Sequence, residues 1–176
     1  IGIPMLESVK LLKSGGMERE AEELLRYYEI HGEMLIKNGL CYPPHEVKYE
    51  QSIVAPAVNY LFQLYELTGK ILYLEEGKKQ LAVLVLFNGH QPDFHMYENA
   101  VRHWDGYWFG KYKNLGDTFP HYWSSLSGVA FREYEKITGE RSYGVKAENS
   151  LRGVLSMINS DGSASCAYVY PFMVNK

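Results

Sequence analysis

Tyr65-Glu66-Leu67-Thr68-Gly69 and Tyr134-Glu135-Lys136-Ile137-Thr138-Gly139 decide how this chain folds. The two Thr-Gly pairs stand 70 residues apart, and the same offset aligns Leu61 with Phe131, Tyr73 with Tyr143, and Leu81 with Leu151. Each unit reads as a helix, a tight turn, a tyrosine four residues past the glycine, and a second helix. Glycine suits the left-handed conformation that such a turn needs. A repeated αα-hairpin cannot bury both of its faces alone, so neighbours of the same kind are expected.

Working outward, apolar residues recur at steps of three and four. From Glu18 to Lys37 they are Ala21, Leu24, Leu25, Tyr28, His31 and Leu35, with Asn38-Gly39 as the stop. The span 50–67 carries Val54, Ala57, Val58, Leu61, Leu64 and Tyr65, with Pro56 marking the first turn or a kink. Helices are also predicted over 72–88, closed by Asn88-Gly89, over 121–137, over 143–158, and over 4–13 with Pro4 in its first turn. Val-Ile-Thr alternation is nearly absent, which argues against a large sheet. The expected fold is all-α: αα-hairpins over about 4–37, 50–88 and 120–158, in one unit spanning 1–176.

Long connections, 39–49, 89–119 and one beginning at Ser160, all leave the same end of these hairpins. Segments of that length in a compact helical domain usually carry function, so a site is expected at the crowded end.

Composition narrows the function. The chain has 176 residues, 18 Lys plus Arg, 21 Asp plus Glu and a net charge of −3, too weak a field to recruit nucleic acid or an anionic membrane. No apolar run approaches the roughly 20 residues of a membrane helix. Two cysteines, Cys41 and Cys166, suit neither a disulfide framework nor a zinc site, and a reduced, cytoplasmic setting is expected. The start at Ile1 and the finish just after the apolar stretch Tyr168–Val174 suggest a piece of a longer polypeptide.

The hairpin motifs, with Tyr73 and Tyr143, resemble those of the six-hairpin, (α/α)6-toroid glycosidase superfamily. So do the aromatic runs His103-Trp104-Asp105-Gly106-Tyr107-Trp108-Phe109-Gly110 and Gly116-Asp117-Thr118-Phe119-Pro120-His121-Tyr122-Trp123. The resemblance implies inner helices at 4–13, 50–67 and 121–137, outer ones at 17–37, 72–88 and 142–158, and sugar bound at the N-terminal ends of the inner row. It implies about half of a ring, completed by the remaining half of the toroid or by a second copy of the chain.

Between Phe94 and Trp123, thirty residues hold ten aromatics, including all three Trp of the chain. A flat indole or phenol covers the apolar face of a pyranose while the sugar's hydroxyls stay free at the rim. Trp104, Tyr107, Trp108, Tyr122 and Trp123, interspersed with Asp, Gly and His, are the candidate sugar platforms; Phe94, Phe109 and Phe119 suit a small local core. Glycoside hydrolysis uses two carboxyl groups. Asp105, flanked by Trp104 and Gly106-Tyr107-Trp108, and Asp117, before Pro120, are the best-placed pair, with His121 orienting the sugar. A turn Asp before Gly and an Asp capping a helix are the plainer readings of the same two residues. Glu50 and Gln51 open the other inner helix and are candidate substrate contacts, though a first-turn Glu also suits solvent. Asp161 sits in the third connection, in an ordinary Asp-Gly turn.

The leading expectation is therefore a bacterial-type glycoside hydrolase acting on an oligo- or polysaccharide, without metal or other cofactor. A second is a polysaccharide lyase with His121 and Tyr122 as base and acid, and Arg102 or Asn99 to neutralise a uronate. A third is a non-catalytic carbohydrate-binding or interaction module. A terpenoid-handling toroid is disfavoured by the lack of an Asp-Asp-x-x-Asp motif. His90, His95 and His103 lack the i, i+4 spacing of a specific metal site, and neither a phosphate loop nor a Gly-x-Ser-x-Gly elbow is present.

Overall fold

The computed structural model describes residues 2–39, 51–86, 88–91, 96–100, 118–121, 123–155, 157–164 and 167–169. Among them are six helices: α1 (Gly2–Ser14), α2 (Glu18–Asn38), α3 (Gln51–Thr68), α4 (Ile71–Val85), α5 (Ser124–Thr138) and α6 (Arg141–Leu155). They pair in sequence as three αα-hairpins, and α3 lies between α1 and α5. The fold is all-α, an inner row of α1, α3 and α5 backed by α2, α4 and α6, as in part of an α/α toroid.

The repeat holds at the level of single hydrogen bonds. Thr68 Oγ1 donates to Leu64 O at 2.6 Å, and Thr138 Oγ1 to Tyr134 O at 2.8 Å. Each hydroxyl then accepts the amide beyond the glycine, Lys70 N or Glu140 N, at 3.2 Å. The glycine amides close the helices onto Tyr65 O at 2.8 Å and Glu135 O at 2.7 Å. Threonine satisfies the freed backbone groups and glycine takes the bend, with φ of 68° at Gly69 and 75° at Gly139. The first hairpin also bends at a left-handed glycine, Gly16 (φ 76°), but there Gly16 N bonds to Lys13 O at 3.1 Å and Met17 N to Leu12 O at 2.9 Å, and no threonine marks the turn in the sequence. No atom lies within 4 Å of a methyl added at Gly69 or Gly139, so only backbone strain opposes alanine there. Each substitution should cost about 1–2 kcal/mol, and the two should add, as read by chemical denaturation.

The core forms on two sides of α3. Val54, Val58 and Phe62 meet Leu81, Leu84 and Phe131 on one side. Tyr60, Leu61 and Leu64 meet Leu6, Ala21 and Tyr73 on the other. Helical periodicity places these residues, with one exchange: His31 is exposed and Gly32 holds the buried position, where a methyl would stand 2.4 Å from Leu64 Cδ1. Of the three aligned pairs, Leu61 and Phe131 are both buried, whereas Leu81 is buried and Leu151 is 45% exposed. Pro56 lies inside α3, which runs on through it without its bond to Ser52 O.

Tyrosines tie neighbouring helices together. Tyr60 Oη donates to Tyr28 O at 2.9 Å, and Tyr73 Oη to Glu29 Oε1 at 3.4 Å. Burial, then the charges of Glu29 and Glu33, push the Tyr73 phenol up to about 12, and burial raises Tyr60 as well. An unfolded tyrosine ionises near about 10, so above that pH the folded chain keeps protons that the unfolded chain has released. Stability should be flat below about pH 10 and then fall by up to about 1.4 kcal/mol per pH unit for each such tyrosine. Denaturant melts from about pH 9 to 12 read that slope, and Tyr73→Phe should remove its share.

The connections differ from expectation. Among the described residues, four short strands stand where loops or a helix start are predicted: β1 (Asn88–Gln91), β2 (Met96–Ala100), β3 (Thr118–His121) and β4 (Ala167–Val169). β1 pairs with β2 and β3 with β4, both antiparallel. Hence His121 does not open the inner helix: it closes β3, opposite Ala167, and α5 begins at Ser124. Pairing of Thr118 with Val169 and of His121 with Ala167 holds this segment extended, so the helix starts only beyond Trp123. Asn88 likewise starts β1 instead of stopping α4, and α6 ends at Leu155 with Ile158 bridged to Ala164. The three hairpin turns occupy one end of the helices, and the strands and long connections leave the other.

Candidate functional site

At the connection end, the first residue of α3 reaches the first turn of α5. Gln51 is fully buried, and its Nε2 donates to Trp123 O and to Ser127 Oγ, each at 2.6 Å. Ser127 Oγ donates to Asn88 Oδ1 at 2.9 Å, and Asn88 Nδ2 to Ser150 Oγ at 3.2 Å. One polar chain thereby joins α3, α5, β1 and α6. Ser124, Ser127 and Ser150 are all fully buried.

Local sequence explains why these elements can meet. α6 carries a small residue at every third position, Gly144, Ala147, Ser150 and Gly153, all buried. Opposite it, a methyl at Gly128 would lie 3.4 Å from Ala147 O. Small side chains let α5 and α6 approach until short hydroxyls can bridge them. Trp123, half-buried, sits at the cap position of α5, where its carbonyl accepts Leu126 N at 3.0 Å and Ser127 N at 3.3 Å besides the Gln51 amide. The N-terminal ends of α3 and α5 meet here, a disposition that favours negative charge.

Of the residues expected from sequence, the structure brings together Gln51 and Trp123 and places His121 two residues from Trp123, at the end of β3. Trp104, Asp105, Tyr107, Trp108, Asp117, Tyr122 and Glu50, with Arg102, His95 and His103, lie outside the described residues. Asn99 is in β2 and His90 in β1. Asp161 is a turn residue: its Oδ1 accepts Ser163 N at 2.9 Å and Ser163 Oγ at 2.6 Å. Those bonds hold its carboxyl below the usual range, so it is no proton donor. Asn88, Ser127 and Ser150 are not singled out by sequence. The three-residue spacing of small residues on α6 is the signal that places Ser150 at a close helix contact.

Among the described residues there is no cluster of His, Cys, Asp or Glu fit to hold a metal ion, and no helix is long and apolar enough to cross a membrane.

No family model and no curated protein matches the chain. A solved structure does. Polysaccharide Lyase BACCELL_00875 is 51% identical over 98% of this chain, with a TM-score of 0.82. The match takes in 26% of that protein, so the chain spans about a quarter of its length and is similar to that part of a polysaccharide lyase.

Proposed function

We propose that this chain is the helical part of a polysaccharide lyase that cleaves uronate-containing glycans by β-elimination, with His121 as base and Tyr122 as acid. The observation that carries this is the 51% identity to a polysaccharide lyase across 98% of the chain. The hairpins supply half of a toroid, completed by the remaining half of the ring or by a second copy.

Elimination needs a base to take the proton from C5, beside the uronate carboxyl, and an acid to protonate the leaving oxygen at C4. The C4–O bond breaks, a C4=C5 double bond forms, and no water is consumed. Adjacent His and Tyr supply both proton transfers from one backbone segment. The carboxylate charge that builds during C–H cleavage needs a donor, for which Arg102 and Asn99 are the local choices. The paired N-terminal ends of α3 and α5 add a favourable field. Trp104, Tyr107, Trp108 and Trp123 would stack on the sugar faces.

The test is product chemistry with the complete protein on hyaluronan, chondroitin sulfate, alginate and polygalacturonate. An ultraviolet-absorbing unsaturated uronate, formed without incorporation of labelled water, is expected. Saturated reducing ends carrying solvent oxygen would return the assignment to a hydrolase acting through Asp105 and Asp117, and binding without turnover would leave a carbohydrate-binding module.

A further inference from the structure

The polar chain behind Trp123 has a direction. The Trp123 carbonyl can only accept, so the amide of Gln51 must present its nitrogen there, and Ser127, already accepting from Gln51, passes its own hydrogen to Asn88. This orientation leaves Gln51 Oε1 buried with no hydrogen-bond partner. A buried acceptor without a donor is unfavourable, and an apolar side chain of similar length would avoid it. The amide is therefore retained for what its nitrogen holds: the cap of α5 and Ser127, 72 and 76 residues along the chain.

Trp123 joins β3 to α5, and His121 and Tyr122 are the two residues before it. Without Gln51, the cap would keep its own helical contacts to Leu126 and Ser127 but lose the hydrogen bond that the first residue of α3 brings to its carbonyl. We infer that Gln51 is a positioning residue, acting through the Trp123 carbonyl and Ser127 to set where the His121-Tyr122 segment stands relative to the inner helix row. The inference rests on the elimination chemistry proposed above for that segment.

Gln51→Met keeps the length of the side chain and removes both donors. In the complete protein, on whichever polysaccharide of the panel is turned over fastest, kcat should fall about 10- to 100-fold while KM stays within about threefold, the pattern of a misplaced catalytic group. In a His121→Ala background the same substitution should cost proportionally less, because one of the two groups it positions is gone. A wild-type kcat in Gln51→Met, or an equal proportional loss with and without His121, overturns the inference. Should Gln51→Met fail to fold, Ser127→Ala removes one of the two acceptors, at some cost in stability because the bond to Asn88 Oδ1 goes with it: a kcat lowered about 3- to 10-fold at a temperature where the variant stays folded is expected, and an unchanged kcat overturns the role. Undiminished elimination by His121→Ala alone is a separate failure, visible with position 51 intact, and overturns the base assignment and this role with it.

Discussion

Alanine at His121 is expected to slow elimination by about 10²–10⁴-fold, the range that a positioned general base contributes. In the proposed elimination the C5 proton is weakly acidic even with the uronate carboxyl neutralised, so a missing base leaves only solvent to take it. Phenylalanine at Tyr122 should act on the second proton transfer, and the two losses should not add, since in the proposed mechanism both groups serve one transition state. Melting temperatures close to wild type would separate this from unfolding: β3 is held to β4 through backbone pairing, which neither substitution removes. Steady-state rates of double-bond formation measure it. Activity in both variants near that of the parent, with large losses in Asp105→Asn and Asp117→Asn, would reverse the assignment of roles.

The second large effect concerns the core. Phe131 is fully buried on α5, with its ring 5.9 Å from that of Tyr143 and in the same cluster as Phe62 and Leu81. Tyr134, one turn on, stacks edge-on against Tyr143 at 4.7 Å. Phe131→Ala should lower stability by about 3–5 kcal/mol, the transfer energy of the ring plus the cavity it leaves. Phe131→Leu puts in the residue that the repeat carries at Leu61 and should cost less, because more of the space stays filled. Urea unfolding at unchanged m-value reads both.

These two residues mark what a sequence can and cannot disclose. Phe131 was legible: the 70-residue offset aligns it with Leu61, which lies on a helical stripe, and both are buried. The Thr-Gly turns were legible too, because their chemistry is local. His121 was legible as a candidate but not in its setting, since a four-residue strand is decided by a partner 46 residues away, Ala167. Gln51 was read as a residue reaching toward substrate. Its bonds to positions 123 and 127 depend on how two inner helices align, and no spacing within α3 reports that. Ser127 escaped notice, and Asn88 was read only as a helix stop, for the same reason, each being an ordinary polar residue until the helices meet.

The rim formed by the bends at Gly16, Gly69 and Gly139 lies a helix length away from the connections. An affinity tag, a fluorophore or a tether to a solid support fixed at that rim would leave the opposite mouth unobstructed, so the protein could be immobilised there and still be presented with long, viscous glycans.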